Sequence, residues 1–186
     1  MKLWFASDAA VDAEIKQTFE ESLLNHQSFA DEMKLDAHST LAYTILLDQF
    51  PRNIYRNDGR AFEFDPFARD LAKYSIEKKF HKELDPLFRM FQLLPLEHSE
   101  NLEDQKLCMK QMDELVGDFP EDFKAMGQSL VTYAKEHHDL IEKWGRFPHR
   151  NAILGRDSTP EEVAFLAAQG GGMFGQGETT KAEEKK

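Results

Sequence analysis

A loop near the C-terminal end of the chain carries the densest set of side chains that could do chemistry. It places three arginines, a histidine and an asparagine within eleven residues, namely Arg146, His149, Arg150, Asn151 and Arg156. The planar guanidinium of arginine holds a carboxylate or a phosphate with two parallel hydrogen bonds. The stretch from Tyr133 to Glu162 therefore predicts an anion site, set between the end of one helix and the start of another.

An earlier stretch, Gln49–Arg56, repeats the aromatic-Pro-Arg-Asn core of this loop. It contributes Arg52 and Asn53 as further hydrogen-bond donors. We expect the two corners to fold together and to form one electropositive site, even though the formal net charge of the chain is -11.

Three helices carry a polar residue where the hydrophobic spacing predicts a buried one. Asp48, Gln105 and His137 each lie three, four or seven positions from apolar residues on the same helical stripe. A buried carboxylate is costly unless it is paired, and Asp48 lies near a helix C-terminus, where the helix dipole disfavours negative charge. Asp48 therefore needs a cationic partner, which Arg52 or an arginine of the second corner can supply.

Proton transfer at such a site would use histidine and carboxylate side chains. We predict that His149 or His137 moves a proton and that Asp48 orients an arginine or a histidine. Glu97 is a further acid–base candidate, which could be paired with either histidine.

The segment from Pro95 to Gln105 gathers several acids and adds His98 and Gln105 as ligand-binding candidates. Acids at a helix N-terminus need no function, because the helix dipole favours them there. Metal binding by His98 and Glu100, with a histidine of the later helix, is an alternative, but the spacing matches no familiar set of metal ligands. We therefore predict no metal and no cofactor.

Length and composition limit the classes of protein to which this chain can belong. At 186 residues, with 41% hydrophobic and 31% charged residues, it predicts one domain with a sizeable core. The acidic balance argues against nucleic acid and against a membrane surface as partners. A single cysteine, Cys108, excludes an internal disulfide and suits a reducing compartment. Because no signal peptide and no apolar run of about 20 residues is visible, we predict a cytoplasmic protein.

Hydrophobic periodicity favours helices almost throughout the chain, and no useful run alternates with period two. Caps or first-turn prolines indicate helix starts near Ser7 or Asp8, Ser39, Asp65, Asp85, Ser99, Pro120 and Thr159. Pro51, Pro95 and Gly145 are predicted to end helices. The pattern predicts an all-α fold of seven or eight helices, stacked as antiparallel hairpins.

We predict a single helical domain over residues 1–169. Its last helix begins with a capping box from Thr159 to Glu162 and is followed by three glycines, Gly170–Gly172. Residues 170–186 are rich in Gly, Lys and Glu, which predicts a disordered tail.

Three long motifs resemble those of one known family. They are LLDQFPRNIYR (Leu46–Arg56), PLEHSE followed by DQ (Pro95–Glu100 and Asp104-Gln105) and GRFPHRNAILGRDSTPEEVAFL (Gly145–Leu166). Through these motifs the chain is similar to the bacterial family of unknown function numbered nine-two-four. The resemblance covers nearly the whole chain up to Leu166 and implies a superhelical all-α fold like that of tetratricopeptide-repeat proteins. It implies no activity, because none is established for the family.

Two functions from different classes are compatible with these patterns, beside a purely structural alternative. The first is binding of a small phosphate- or carboxylate-bearing molecule by Arg52, Asn53 and the arginines of the C-terminal corner, in a hydrolase or transferase. The second is a helical scaffold whose groove binds a peptide or protein, with the arginines reading an acidic tail. In the third, the arginines, Asp48 and Gln105 only staple loops to helix ends. The sequence specifies no oligomeric state.

Overall fold

The computed structural model describes residues 8–169, which form seven α-helices joined by short turns and contain no strand. The helices are α1 (Ala9–Leu24), α2 (Ala37–Ile54), α3 (Asp65–Lys78), α4 (Pro86–Glu97), α5 (Leu102–Asp118), α6 (Lys124–Trp144) and α7 (Pro160–Ala168). The predicted all-α fold is confirmed. Residues 1–7 and the predicted tail, 170–186, lie outside the described part of the chain.

Several helix ends follow the signals in the sequence. The Asp8 carboxylate accepts hydrogen bonds from the first backbone N–H groups of α1. Thr159 and Glu162 form the predicted capping box at the start of α7. Gly145 ends α6 with a φ of 66°, in the left-handed region that suits glycine. These caps fix where α6 stops and where α7 starts, and so fix both ends of the loop between them.

Two prolines do not end their helices, so that part of the prediction was wrong. Pro51 lies inside α2 and Pro95 lies inside α4, and both are buried. A proline past the first turn removes one backbone hydrogen bond and crowds the carbonyl group four residues earlier, so packing must offset that cost. The residues that follow, Ile54 and Leu96, are buried against the core and hold the last turn in helical form.

Three predicted helix starts are also corrected. Asp65 is the first helical residue of α3 rather than its cap, and its carboxylate binds Arg52 instead. Asn101, not Ser99, caps α5, because its side-chain oxygen accepts the first free N–H groups. After Pro120 the chain makes one short 3-10 turn before α6 begins.

Consecutive helices pack as hairpins around several apolar clusters. Helix α2 packs against α1, α3 and α4, while α5 packs between α4 and α6. The cluster shared by α4, α5 and α6 includes the buried Cys108, Leu96 and Leu115. A smaller cluster of Leu140, Ile141 and Phe147 fixes the loop after α6 onto the end of that helix. The ends of α2, α4 and α6 are thereby brought to one place.

No helix within residues 8–169 is both long enough and apolar enough to span a bilayer. The superhelical arrangement, the single domain over residues 1–169 and the cytoplasmic location stay predictions.

Candidate functional site

Asp48, near the C-terminal end of α2, is the centre of a buried polar cluster. Its side chain is 1% exposed, and Oδ1 lies 2.8 Å from Nδ1 of His98. Gln49 Nε2 donates to Oδ2 over 2.5 Å, and Arg52 Nη1 lies 3.5 Å from Oδ1. Burial raises the pKa of Asp48, but the charge of Arg52 and the hydrogen bonds from His98 and Gln49 outweigh it and lower the pKa overall. Asp48 is therefore ionised at neutral pH.

His98 is the C-terminal cap residue of α4, and its ring is oriented by the hydrogen bond to Asp48. Burial lowers the pKa of His98, assisted by the charge of Arg52 and opposed by Asp48, and the net shift is downward. The ring is therefore neutral at pH 7. An ionised carboxylate can only accept hydrogen bonds, so Nδ1 of His98 carries the proton and donates a hydrogen bond to Asp48. The free lone pair of the ring is therefore on Nε2. The side chain is 15% exposed, so this basic nitrogen belongs to a ring that solvent partly reaches.

Arg150, in the C-terminal corner, lies beside this pair and is poorly neutralised. Its guanidinium is stacked between the rings of Phe62 and Phe147, at 4.6 and 4.5 Å from their centroids. Nη1 donates to the backbone oxygen of His98 over 3.0 Å. Within residues 8–169 its one ion pair, to Asp65, is 3.9 Å long. Burial, followed by repulsion from Arg52, lowers the pKa of Arg150 to about 10.

Arg52 connects the two corners. Its Nη1 and Nη2 hold the Asp65 carboxylate over 2.9 and 3.0 Å, and Nη1 also donates to the backbone oxygen of Asp48. Arg52 and Arg150 both lie over the ring of Phe62 and both face Asp65. The two Pro-Arg-Asn corners therefore meet at Asp48, as their similar sequences led us to expect.

Glu97 and His137 form the inner wall of the cluster, and both are neutral at pH 7. Glu97 is 2% exposed, and burial together with the charge of Asp48 raises its pKa to about 8. His137 Nδ1 lies 3.7 Å from Glu97 Oε1 and 2.9 Å from the backbone oxygen of Tyr133. Burial is the main reason that the pKa of His137 falls to about 3. Glu97 and Asp48 are thus neighbouring carboxyls whose pKa values are driven in opposite directions.

His149, the predicted proton carrier of the loop, lies beside this cluster. Its ring centroid is 5.6 Å from that of Phe147, and its charge contributes to lowering the pKa of His137. The proton-transfer roles of His149 and His137 stay predictions.

Arg146 and Asn151 are engaged at the other end of the loop. Arg146 holds Glu162 through two hydrogen bonds of 2.7 Å and also donates to the backbone oxygen of Asp157. Asn151 donates to Ser158 and to Glu162. These contacts tie the loop to the start of α7.

Arg156 is engaged in the same way with Glu100. Its two terminal nitrogens donate to the Glu100 carboxylate over 2.6 and 2.9 Å, and one also donates to the backbone oxygen of Phe147. Glu100 in turn accepts from the backbone N–H of Phe147. Glu100 is thus engaged in holding the loop, and the metal-site alternative with His98 stays untested.

Two further residues that were predicted to bind ligand, Asn53 and Gln105, donate hydrogen bonds to other groups of the protein. Asn53 donates to Asp12, which also pairs with Arg56. Gln105 donates to the backbone oxygens of Glu97 and Ser99, and so fixes the turn that carries His98. A direct role for these residues in ligand binding stays a prediction, as do the absence of a metal and of a cofactor.

One group of possible metal ligands exists in the described part of the chain, and it lies elsewhere. His138, Asp139 and Glu142 lie close together on the outer side of α6. Asp139 and Glu142 are exposed, and Asp139 already pairs with Lys135. Exposed acidic groups of this kind are common, and the arrangement does not bear on the buried cluster.

The pairing of His98 with Asp48 was not predicted from the sequence, and neither were the contacts of Asp65, Phe62 and Phe147 with the arginines. Asp48 and His98 are 50 positions apart on different helices. A signal did exist, because His98 directly follows the inward-facing end of α4. No residue pattern within one helix, however, specifies which distant ring meets a buried carboxylate.

Comparisons with known proteins place the chain in a family without giving it a function. A family model described as "Bacterial protein of unknown function (DUF924)" matches residues 1–170. A solved structure of a protein of unknown function from Agrobacterium tumefaciens, ATU0120, is 33% identical, with a TM-score of 0.77. The match covers 89% of this chain and 88% of that one. The comparison with curated proteins found no match. The chain belongs to the bacterial DUF924 family, whose function is unknown.

Proposed function

We propose that this protein binds a small carboxylate- or phosphate-bearing molecule at Arg150 and acts on it as a hydrolase or transferase, with His98 as the general base. The observation that carries the proposal is the pairing of a buried, ionised Asp48 with His98 over 2.8 Å, directly beside a poorly neutralised arginine. The role that we first gave to His137 or His149 moves to His98.

The Asp48–His98 pair is arranged for proton transfer. The buried carboxylate fixes the ring orientation and the tautomer, and it stabilises the positive charge that would form when Nε2 takes a proton. His137 is a much poorer base at neutral pH, because its pKa is about 3. Glu97, protonated at neutral pH with a pKa of about 8, is the group best suited to return a proton to a leaving group.

The anion is supported by the charges around Arg150. Asp48 and Asp65 are both shared with Arg52, which holds Asp65 far more closely than Arg150 does. A bound anion would pair with the buried Arg150 guanidinium and would raise the pKa of Arg150. The formal net charge of the whole chain, -11, makes nucleic acid and anionic membranes poor alternatives, and their exclusion stays a prediction.

Binding can be tested with a thermal-shift screen of phosphate, sulfate and simple carboxylates. An anion at about 100 times its Kd should stabilise the protein by about 2.7 kcal/mol, which is a rise in Tm of about 5–10 °C. Arg150→Gln should abolish this shift while the helical circular dichroism stays near that of the wild type. Arg60→Gln removes the same charge from an exposed arginine and should leave the shift intact. An equal shift in all three proteins, or none with any anion, contradicts the proposal.

Catalysis can be tested separately with p-nitrophenyl esters and p-nitrophenyl phosphate. If the wild type turns over any of them, His98→Gln should lower kcat/KM by about 10²–10⁴-fold, because that is the usual contribution of a general base. Asp48→Asn should also lower kcat, since an amide cannot stabilise the imidazolium. His38→Gln, at an exposed histidine near the start of α2, is the matched control. Turnover that survives in His98→Gln contradicts the assignment of the base.

A further inference from the structure

We propose that Gln105 is a positioning residue for His98, and that its carboxamide holds the imidazole ring where Asp48 accepts from Nδ1 and Nε2 is left to take a proton. Gln105 lies in the first turn of α5, and its side chain reaches back to the turn that carries His98. This inference rests on the proposed function, because it assigns to Gln105 the orientation of the proposed base.

The side-chain amide of Gln105 holds both ends of this turn. Its Nε2 donates to the backbone oxygen of Glu97 over 2.6 Å and to that of Ser99 over 2.7 Å. These residues directly precede and follow His98, so the two N–H donors of one amide group fix the peptide units on either side of the His98 side chain. Because Gln105 is 0% exposed, solvent does not compete for these hydrogen bonds.

The backbone oxygen between these two is held from a different side. The carbonyl of His98 accepts from Nη1 of Arg150 over 3.0 Å. The Ser99 hydroxyl donates to the Asp104 carboxylate over 2.8 Å, which ties the end of the turn to α5 a second time. Three consecutive carbonyls of the turn therefore accept from side chains, and Gln105 supplies two of the three donors. Rotation about its own side-chain bonds is then the main freedom left to the His98 ring.

The position of the ring is important because the bond to Asp48 selects the tautomer. His98 Nδ1 lies 2.8 Å from Asp48 Oδ1, and a shift of about 1 Å would take this pair out of hydrogen-bonding distance. A ring that moves away from the carboxylate is no longer held in the Nδ1–H form, and both neutral tautomers are then populated. Only the Nδ1–H form leaves a basic lone pair on Nε2. Gln105 thus acts on the proposed chemistry through the geometry of the His98–Asp48 pair.

The test measures the tautomer of His98 by ¹⁵N NMR of the imidazole at neutral pH, with His98→Gln to identify its signals. In the wild type, Nδ1 should carry the proton and Nε2 should not. Gln105→Met keeps the length of the side chain but loses both donors, and should move the two nitrogen signals towards each other. Gln105→Glu keeps one donor, because a carboxyl group buried among carbonyl oxygens holds its proton, and should give an intermediate result. If Gln105→Met does not fold, Gln105→Glu decides the question.

Gln92→Met is the matched control. Gln92 is also 0% exposed, and its Nε2 donates to the hydroxyl of Thr44 over 2.8 Å. This variant removes a buried amide without removing a donor to the turn around His98, so the His98 signals should stay as in the wild type. Equal changes in Gln92→Met and Gln105→Met would indicate a general loosening of the core and would overturn the inference. Unchanged signals in Gln105→Met would also overturn it.

A double-mutant cycle tests whether Gln105 acts through His98. On a substrate that the wild type turns over, Gln105→Met should lower kcat by about 10–100-fold with little change in KM, because a misplacement of about 1 Å can cost about 100-fold. In the His98→Gln background the same substitution should have almost no further effect. A similar loss in both backgrounds would mean that Gln105 does not act through His98, which contradicts the inference.

The tautomer measurement does not depend on turnover, so this inference and the proposed function can fail separately. If Gln105→Met mixes the tautomers of His98 while the wild type turns over no ester or phosphate, the positioning role stands and the proposed catalysis is wrong. If His98 is confirmed as the base while Gln105→Met alters neither the tautomer nor kcat, the catalysis stands and the positioning role is wrong.

Discussion

Arg156 and Arg150 belong to the same loop, yet their surroundings differ. Arg156 holds Glu100 with two short hydrogen bonds, as Arg146 holds Glu162. Arg150 is held by two aromatic rings and a backbone oxygen, with its nearest ion-pair partner 3.9 Å away. The outer arginines therefore act as staples, while the central one is left with a charge that its surroundings do not balance.

This difference indicates how the loop can keep an unfavourable charge in place. The two pairs join the loop to different parts of the fold, because Glu100 lies in the turn before α5 and Glu162 lies in α7. Together they fix the backbone on both sides of Arg150 and make its position independent of an acid partner. Sites that act on ligands commonly keep such groups at a cost in stability.

The largest expected effect comes from Glu97, whose pKa is raised to about 8, whereas the pKa of the staple acid Glu162 is lowered to about 2. In the folded protein Glu97 keeps its proton, so its stabilising contribution is complete below pH 4.5 and is lost as the pH rises towards 8. Measured against Glu97→Gln, the free energy of unfolding of the wild type should fall by up to about 5 kcal/mol across this range.

Glu162 should show the opposite dependence. Its contribution is present above pH 4.5 and is lost as the pH falls towards 2, because the folded state holds the ionised form. Urea titrations of wild type, Glu97→Gln and Glu162→Gln between pH 3 and pH 8.5 measure both slopes. If the free energy of unfolding changed with pH in the same direction through both acids, Glu97 of the buried cluster and Glu162 of the arginine pair would not differ as we predict.

The next effect compares the two kinds of arginine directly. Arg156→Met loses the hydrogen bonds to Glu100 and leaves that acid without its partner, which should cost about 3 kcal/mol. Arg150→Met loses a hydrogen bond to a backbone oxygen, a long ion pair and the cation–π part of the stacking on Phe62 and Phe147, while the methionine keeps apolar contact with both rings. It also relieves an unfavourable charge worth about 3 kcal/mol, which offsets these losses. We therefore expect Arg150→Met to be nearly neutral in the absence of ligand. Equal losses for the two variants, measured by urea unfolding, would place Arg150 among the staples.

The smallest effect tests how the loop leaves α6. Gly145 has a φ of 66°, and a methyl group added there would meet no atom within 4 Å. Gly145→Ala should therefore cost about 1 kcal/mol from backbone strain alone. Gly117→Ala is the matched control, because that glycine lies in α5 with open space around it and should gain stability. A loss at Gly145 well above 2 kcal/mol in thermal unfolding would mean that the loop itself is displaced.

The fold followed from local patterns, because helical spacing and caps act within a few residues. Asp48, Gln105 and His137 were expected to face inward from their spacing alone, and all three are buried. The failures at Pro51 and Pro95 share one cause, since burial of the residues after each proline outweighs a single lost hydrogen bond. Such burial depends on neighbouring helices and is not visible in the local sequence.

The location of the site could be predicted from the sequence, but the pairing of its arginines and histidines with particular acids could not. The repeated Pro-Arg-Asn corners indicated that two loops meet, but they did not specify which acid each arginine would take. Glu100 and Glu162 are held by arginines 56 and 16 positions away, and His98 meets Asp48 across 50. Partners at such separations are set by how helices stack, so Arg150, which has no close acid among residues 8–169, could be identified only from the structure.

The most direct measurement is a crystal structure of the protein grown or soaked with bromide or phosphate, with anomalous scattering to locate the bromide. Our account predicts an anion within about 3.5 Å of the Arg150 guanidinium, on the side facing Nε2 of His98, and no displacement of the Arg146–Glu162 and Arg156–Glu100 pairs. Anions bound only at Arg146 or Arg156, or a protein carboxylate closing fully onto Arg150, would contradict it.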